Sequence, residues 1–159
     1  MKIGIISDSH DNLKKIDKAV KLFNRKKVGL VLHAGDIIAP FAIEHLEALK
    51  MPYEGIFGNN DGEKRGLAEK SKGRLKDGPL TLEIEGRKIL LAHDCYSSEA
   101  IKSGGDADIW ICGHTHKPDI SRRSGKLFIN PGECGGHLSG NATVALLDLE
   151  AMKAEIIRI

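Results

Sequence analysis

The feature that most constrains how this chain can fold is a rhythm: short apolar runs that stop abruptly on side chains able to bind metals. The clearest case is Ile109-Trp110-Ile111-Cys112-Gly113-His114-Thr115-His116, where a run of strand character ends in a glycine and two imidazoles follow, one residue apart. In extended backbone, residues two apart project to the same side, so His114 and His116 can converge on one site once the chain leaves the strand. In an open α/β sheet, ligands bind at the carboxyl ends of the strands.

Read from the start, Ile3 to Ile6 is a β-branched run consistent with a strand buried on both faces, and it stops at Ser7-Asp8-Ser9-His10-Asp11. Leu13, Ile16, Val20 and Phe23 then recur at helical spacing, with Asp11 or Asn12 placed to cap the first turn. The opposite face carries Lys14, Lys18, Lys21 and Arg25, which reads as a solvated stripe rather than a phosphate-binding one. Gly29 to Ala34 repeats the strand pattern, ends in Gly35-Asp36, and leads to a proline-initiated helix from Pro40 towards Leu49. Tyr53 to Phe57 is a third strand, running into Gly58-Asn59-Asn60-Asp61-Gly62, and the charged stretch 63–77 is read as a helix.

From Leu80 the rhythm changes. Leu80 to Ile84 and Lys88 to Ala92 are joined through Glu85-Gly86-Arg87, a hairpin with no room for a helix. His93-Asp94 closes the second of these strands, and a short helix is expected near Ser98 to Ser103. After the Ile109 strand, Ile120 to Arg123 and Lys126 to Asn130 pair across Ser124-Gly125. Beyond the glycine-rich loop Pro131 to Gly140, Ala142 to Leu147 and Ala154 to Ile159 form a last hairpin. Helices early and hairpins late predict two packed mixed sheets with helices outside, in a single domain spanning 1–159.

Charge narrows the partners. With 24 basic and 22 acidic residues the formal charge is +2, far from the broad positive field of an obligate nucleic-acid binder. Cys95, Cys112 and Cys134 are odd in number and widely spaced, so no disulfide framework or thiolate zinc site is expected, and the compartment reads as reducing and cytoplasmic. The apolar N-terminal run is too short for a signal peptide or membrane span. No phosphate-loop or dinucleotide-binding glycine pattern is present.

Five strand ends thus deliver Asp8 and His10, Asp36, Asn59 and Asn60, His93, and finally His114 with His116. Two carboxylates, one amide oxygen and four imidazoles exceed what one metal takes, whereas two metals sharing a carboxylate need about this many and keep positions open for water and substrate. Such a donor set suits Mn, Fe, Zn, Co or Ni better than Mg or Ca.

The ordered series Asp8-x-His10, Gly35-Asp36, Gly58-Asn59-x-Asp61, His93 and Gly113-His114-x-His116 resembles the calcineurin-like metallophosphoesterase superfamily. The small size and Asn130-Pro131-Gly132 resemble its compact bacterial and archaeal phosphodiesterase branch. The resemblance implies a four-layer α/β/β/α sandwich. It also implies two divalent ions, Mn first, the first held by Asp8, His10 and His116, the second by Asn59, His93 and His114, with Asp36 bridging. Two positions depart from the family pattern. Many members carry histidine where this chain has Asn60, and an amide can orient a phosphate but cannot supply a proton near neutral pH. His93 is followed by Asp94, where glycine commonly adjoins that histidine.

The expected activity is hydrolysis of a small phosphodiester by in-line attack of a metal-bridging hydroxide, with Asp36 and Asn60 in catalytic positions and Asn60 on the phosphate. The alternatives are a non-catalytic scaffold of the same fold, as in the retromer subunit that these small phosphodiesterases resemble, or a nuclease or phosphomonoesterase. His137 is a weaker candidate for the missing acid, and His33 and His45 are read as structural or exposed. Assembly into a homo-oligomer is left open.

Overall fold

The structure, a computed structural model, describes all 159 residues. Two sheets pack face to face. The first has six strands in the order β11-β10-β1-β2-β3-β4, built from β1 (Lys2–Ile6), β2 (Leu30–His33), β3 (Tyr53–Ile56), β4 (Leu75–Lys76), β10 (Thr143–Asp148) and β11 (Lys153–Arg158). Strands β1 to β4 run parallel, while β10 and β11 add an antiparallel edge. The second sheet, ordered β5-β6-β7-β9-β8, contains β5 (Leu80–Ile84), β6 (Arg87–Leu91), β7 (Ile109–Ile111), β8 (Asp119–Arg123) and β9 (Lys126–Asn130). Its centre is parallel and both its edges are antiparallel.

Period-two alternation explains the layers. Ile3 and Ile5 of β1 face Ile89, Leu91, Ile109 and Ile111 of the other sheet across a dry interface. Ile6 turns the other way, towards Ile16, Val20 and Phe23 of α1 (Leu13–Lys26). On the far side, Leu90 and Trp110 pack beneath α4 (Ser98–Ser103) through Ala100. The predicted four-layer α/β/β/α sandwich of two mixed sheets is therefore present, with every central strand buried on both faces.

Local chemistry sets the connections. The Asn12 side chain accepts a hydrogen bond from the Lys15 amide and caps α1, settling the choice between Asp11 and Asn12. Glu85-Gly86 and Ser124-Gly125 both take positive φ at the two turn positions, the geometry that tight hairpins with right-twisted strands require. No helix is long and apolar enough to cross a membrane.

Three expectations need correcting. The helix expected from Pro40 to Leu49 is a 3-10 turn, Pro40–Ala42, followed by the four-residue α2 (Ile43–Leu46). The stretch read as helical over 63–77 holds only α3 (Lys64–Lys70) before turning into β4, because Leu75 finds a parallel partner in Gly55 of β3. Cys95 and Cys112, expected to be free, form a disulfide with their Cα atoms 5.7 Å apart, while Cys134 is buried and free. The physical reason is register: β6 and β7 run parallel with Leu91 opposite Ile111, so their C-terminal extensions emerge side by side at bridging distance.

Candidate metal centre

All seven expected ligands follow the C-terminal ends of strands, four on the first sheet's loops, with Asp8 and His10 both after β1, and three on the second's. Donor atoms of Asp8, His10, Asp36 and His116 lie within 4.8 Å of one another. Beside them, the Asn59 side-chain oxygen lies 2.9 Å from both His93 Nε2 and His114 Nδ1. Asp36 stands between the two groups: its Oδ2 is 3.7 Å from His10 Nε2 and 3.5 Å from His93 Nε2.

The backbone needed for this is unusual. Asp8, His10, Asp36, His114 and His116 all take positive φ, between 43° and 67°, a region few non-glycine residues enter. Each such residue costs on the order of 1–3 kcal/mol, so the surroundings must enforce it. The Asp8 amide donates to the Gly35 carbonyl at 2.9 Å, and the His10 amide to the Asp36 carbonyl at 3.1 Å. Two glycines allow the loops to close: a methyl group at Gly113 would collide with Ser7 and Asp8, and one at Gly58 would strike the Asp36 carboxylate.

Proton arithmetic shows what the cluster lacks. His93 Nδ1 lies 2.8 Å from the Ala34 carbonyl, which can only accept, so that nitrogen carries the proton. In the neutral ring Nε2 is then a lone pair facing the lone pairs of the Asn59 oxygen, and His114 Nδ1 meets the same oxygen. Acceptors that converge in this way call for a cation or an added proton. Burial works against charge on His93, yet Asp36 and the Ala34 carbonyl raise its pKa overall. His10 Nε2 and His116 Nδ1 are buried without any hydrogen-bond partner, which water-exposed structural histidines would not show. Burial raises the Asp8 pKa. The same burial acts on Asp36, but the His93 imidazole 3.5 Å away and hydrogen bonds from the Asn60 amide and backbone hold that carboxyl below its ordinary range.

Asn60 Nδ2 donates to Asp36 Oδ2 at 2.7 Å, and its backbone amide to Asp36 Oδ1 at 2.9 Å. The residue therefore braces Asp36 and keeps its second amide hydrogen for another acceptor. Of the other histidines, His33 is buried and desolvated, which pushes its pKa down to about 3, and its Nδ1 accepts the Gly35 amide at 3.2 Å. His45 pairs with Asp17 at 2.6 Å, and His137 is exposed. The cavity along the stripe of α1 brings Lys18, Lys21 and Arg25 beside Ile157, Arg158 and Ile159, and no expected ligand lines it.

Three supporting residues escaped the sequence reading. Asp61, in the motif but given no role, is buried and accepts the amides of Asp36, Ile37, Ile38 and Gly58 at 2.7–3.0 Å, tying two ligand loops together. Asn130 donates to the Gly113 carbonyl at 2.7 Å and to Thr115 Oγ1 at 3.1 Å; its position before Pro131-Gly132 was the available signal. Glu133 is fully buried with Oε2 3.6 Å from His116 Nδ1. Burial would raise its pKa, but the amides of Leu138 and Ser139 hold it at about 2. Nothing in a glycine-rich loop announced a buried carboxylate.

Comparison with known proteins agrees with this geometry. The chain is 40% identical over 157 residues to phosphodiesterase MJ0936 of Methanocaldococcus jannaschii, covering 94% of each chain. A solved structure described as a novel archaeal phosphodiesterase superposes with a TM-score of 0.92 at 37% identity, covering 100% of both chains. Vps29 of Entamoeba histolytica in complex with zinc shares the fold at a TM-score of 0.71 and 21% identity, covering 100% of this chain and 98% of that one. Residues 1–152 match the calcineurin-like phosphoesterase superfamily domain, and with the ligand series in its expected order the chain belongs to that superfamily.

Proposed function

We propose that the protein is a phosphodiesterase that works with two divalent cations. The observation that carries this reading is the placement of Asp36, whose Oδ2 lies within 3.7 Å of one imidazole from each ligand group, as a shared carboxylate must. The archaeal relative at 40% identity is itself named a phosphodiesterase. Asp8, His10 and His116 would hold the first cation and Asn59, His93 and His114 the second. The orphaned Nε2 of His10, the His116 Nε2 that lies 3.4 Å from Asp8, and the acceptors converging on Asn59 fit that role. Imidazole, carboxylate and amide donors without thiolate favour Mn, with Ni, Fe, Zn, Co or Mg as further candidates. When bound, such a pair neutralises phosphoryl charge and lowers the pKa of water.

The chain's own residues do the remaining work. Asp36, kept ionised by Asn60 and His93, fixes the spacing of the two ligand groups. Asn60 directs its free amide hydrogen at a phosphoryl oxygen. Glu133, 3.6 Å from His116 Nδ1, is placed to accept that nitrogen's proton once the ring moves slightly, which would fix the tautomer and leave Nε2 towards Asp8, 3.4 Å away. No imidazole stands at position 60, so the departing alcohol must leave with little help from a protein acid. The same proposal places the protein in the cytoplasm; there the Cys95–Cys112 bridge must withstand a reducing poise, which the burial of both residues favours.

The test is metal analysis together with hydrolysis of bis(p-nitrophenyl) phosphate in Mn. Turnover that Asp36→Asn and His116→Ala each reduce by ~10²-fold or more supports the assignment. Undiminished turnover in either variant rejects it, and metal-loaded but inactive wild-type protein favours the scaffold reading.

A further inference from the structure

Beside the ligand cluster is a cavity of about 370 Å³, bounded by the segment after β6 and by strands β8 and β9. Asp94 lines this cavity and also the adjoining one that contains Asn59, His93 and His114, so the two spaces share a wall. Gly113 and Thr115, which alternate in sequence with the ligands His114 and His116, line it as well. A phosphoryl group at the ligand cluster would thus have one of its ester groups beside this space.

The chemistry of the walls is specific. Arg123 donates to the Tyr96 hydroxyl at 2.9 Å, and its guanidinium lies 5.1 Å from the Phe128 ring centroid and 5.8 Å from that of Tyr96. Tyr96 is 63% exposed, a large aromatic face left in water at the mouth of the site. Asp94 and Asp119 balance Lys117 and Arg123, so the cavity does not select by net charge. Two aromatic rings and a guanidinium plane offer stacking surface, which a planar π-system exploits more fully than a polyol or alkyl chain. The volume falls within the range of small-molecule sites.

We propose that this cavity is a subsite for one ester group of the diester and that it takes a planar heteroaromatic group of nucleobase size. This assigns nucleoside phosphodiesters as the substrate class and rests on the phosphodiesterase reading above. Tyr96 and Arg123 stack on the base, and Asp94 separates the subsite from the ligands.

Calorimetric titration of the Mn-loaded protein with thymidine 5′-monophosphate and with methyl phosphate tests it, because the two share the phosphate and differ in the group the cavity would hold. The nucleotide should bind ~10-fold or more tighter. That ratio should fall close to one in Tyr96→Ala and shrink in Arg123→Gln; both side chains are exposed enough for the fold to tolerate the change. Equal affinities in the wild type, or a preference that survives Tyr96→Ala, overturn the subsite. Hydrolysis of bis(p-nitrophenyl) phosphate, measured in parallel, separates the two ideas: its absence refutes the diesterase reading whatever the binding ratio, and its presence with equal affinities refutes only the subsite.

Discussion

The carboxylate of Glu133 lies 3.6 Å from Nδ1 of His116, both groups are buried, and that nitrogen has no hydrogen-bond partner. Two backbone amides already hold Glu133 in place, so the small movement needed to close the bond falls to the imidazole. Outer carboxylates of this kind set the affinity of a metal-binding histidine by about 10–100-fold. Glu133→Gln should therefore weaken Mn binding by a factor in that range, read by calorimetry, while turnover recovers at saturating Mn. Unchanged affinity would reduce Glu133 to a loop anchor.

The amide at position 60 makes a prediction about leaving groups. With no imidazole there, rates across a series of aryl phosphodiesters should fall steeply as the alcohol becomes more basic. Asn60→His should flatten that dependence and speed the poorest leaving group by ~10²-fold, with little gain for p-nitrophenolate. Parallel slopes in the two proteins would show that proton delivery does not pass through this position.

The Cys95–Cys112 bridge, with a sequence separation of 17, closes a loop between the segments that carry His93 and His114. Chain entropy puts the value of such a closure at about 3 kcal/mol. The double variant Cys95→Ser, Cys112→Ser should lose stability of that order in urea, and metal binding should weaken through His93 and His114 more than through His10 and His116. A variant as stable as the parent would show that the strand pairing alone suffices.

His33 predicts how the metal-free protein responds to acid. Burial lowers its pKa from 6.5 to about 3, so between those values the unfolded chain binds the proton and the folded one does not. Stability from this group is complete above pH 6.5 and drains away as the pH falls towards 3. The Tm should drop over that window, and the His33 ring resonances should stay fixed from pH 8 to pH 4 in NMR spectra. A ring that titrates near pH 6.5 would contradict its burial.

Much of this was legible because the candidate ligands sit where strands end, and strands buried on both faces announce themselves as short β-branched runs such as Ile3–Ile6 and Leu30–His33. Hairpins were equally plain wherever a residue pair such as Glu85-Gly86 had to take positive φ. What stayed hidden depends on contacts through space. Leu75 becomes a strand only because Gly55 offers it an edge, and Cys95 meets Cys112 only through parallel register. Asp61 and Glu133 look like ordinary surface acids until folding surrounds them with amides.

Asp8, Asp36 and Asn59 ride on one sheet, whereas His93, His114 and His116 ride on the other; the sheets meet across a seam of isoleucine, leucine and alanine, and a few hydrogen bonds cross at the rim, His93 Nδ1 to the Ala34 carbonyl and the His114 amide to Asp8 among them. Nonpolar contacts have no direction of their own. Cations seated at the rim would act as rivets, adding directional bonds to that contact. Stripping them should therefore do more than silence the enzyme: it should loosen the alignment of the two sheets at that rim.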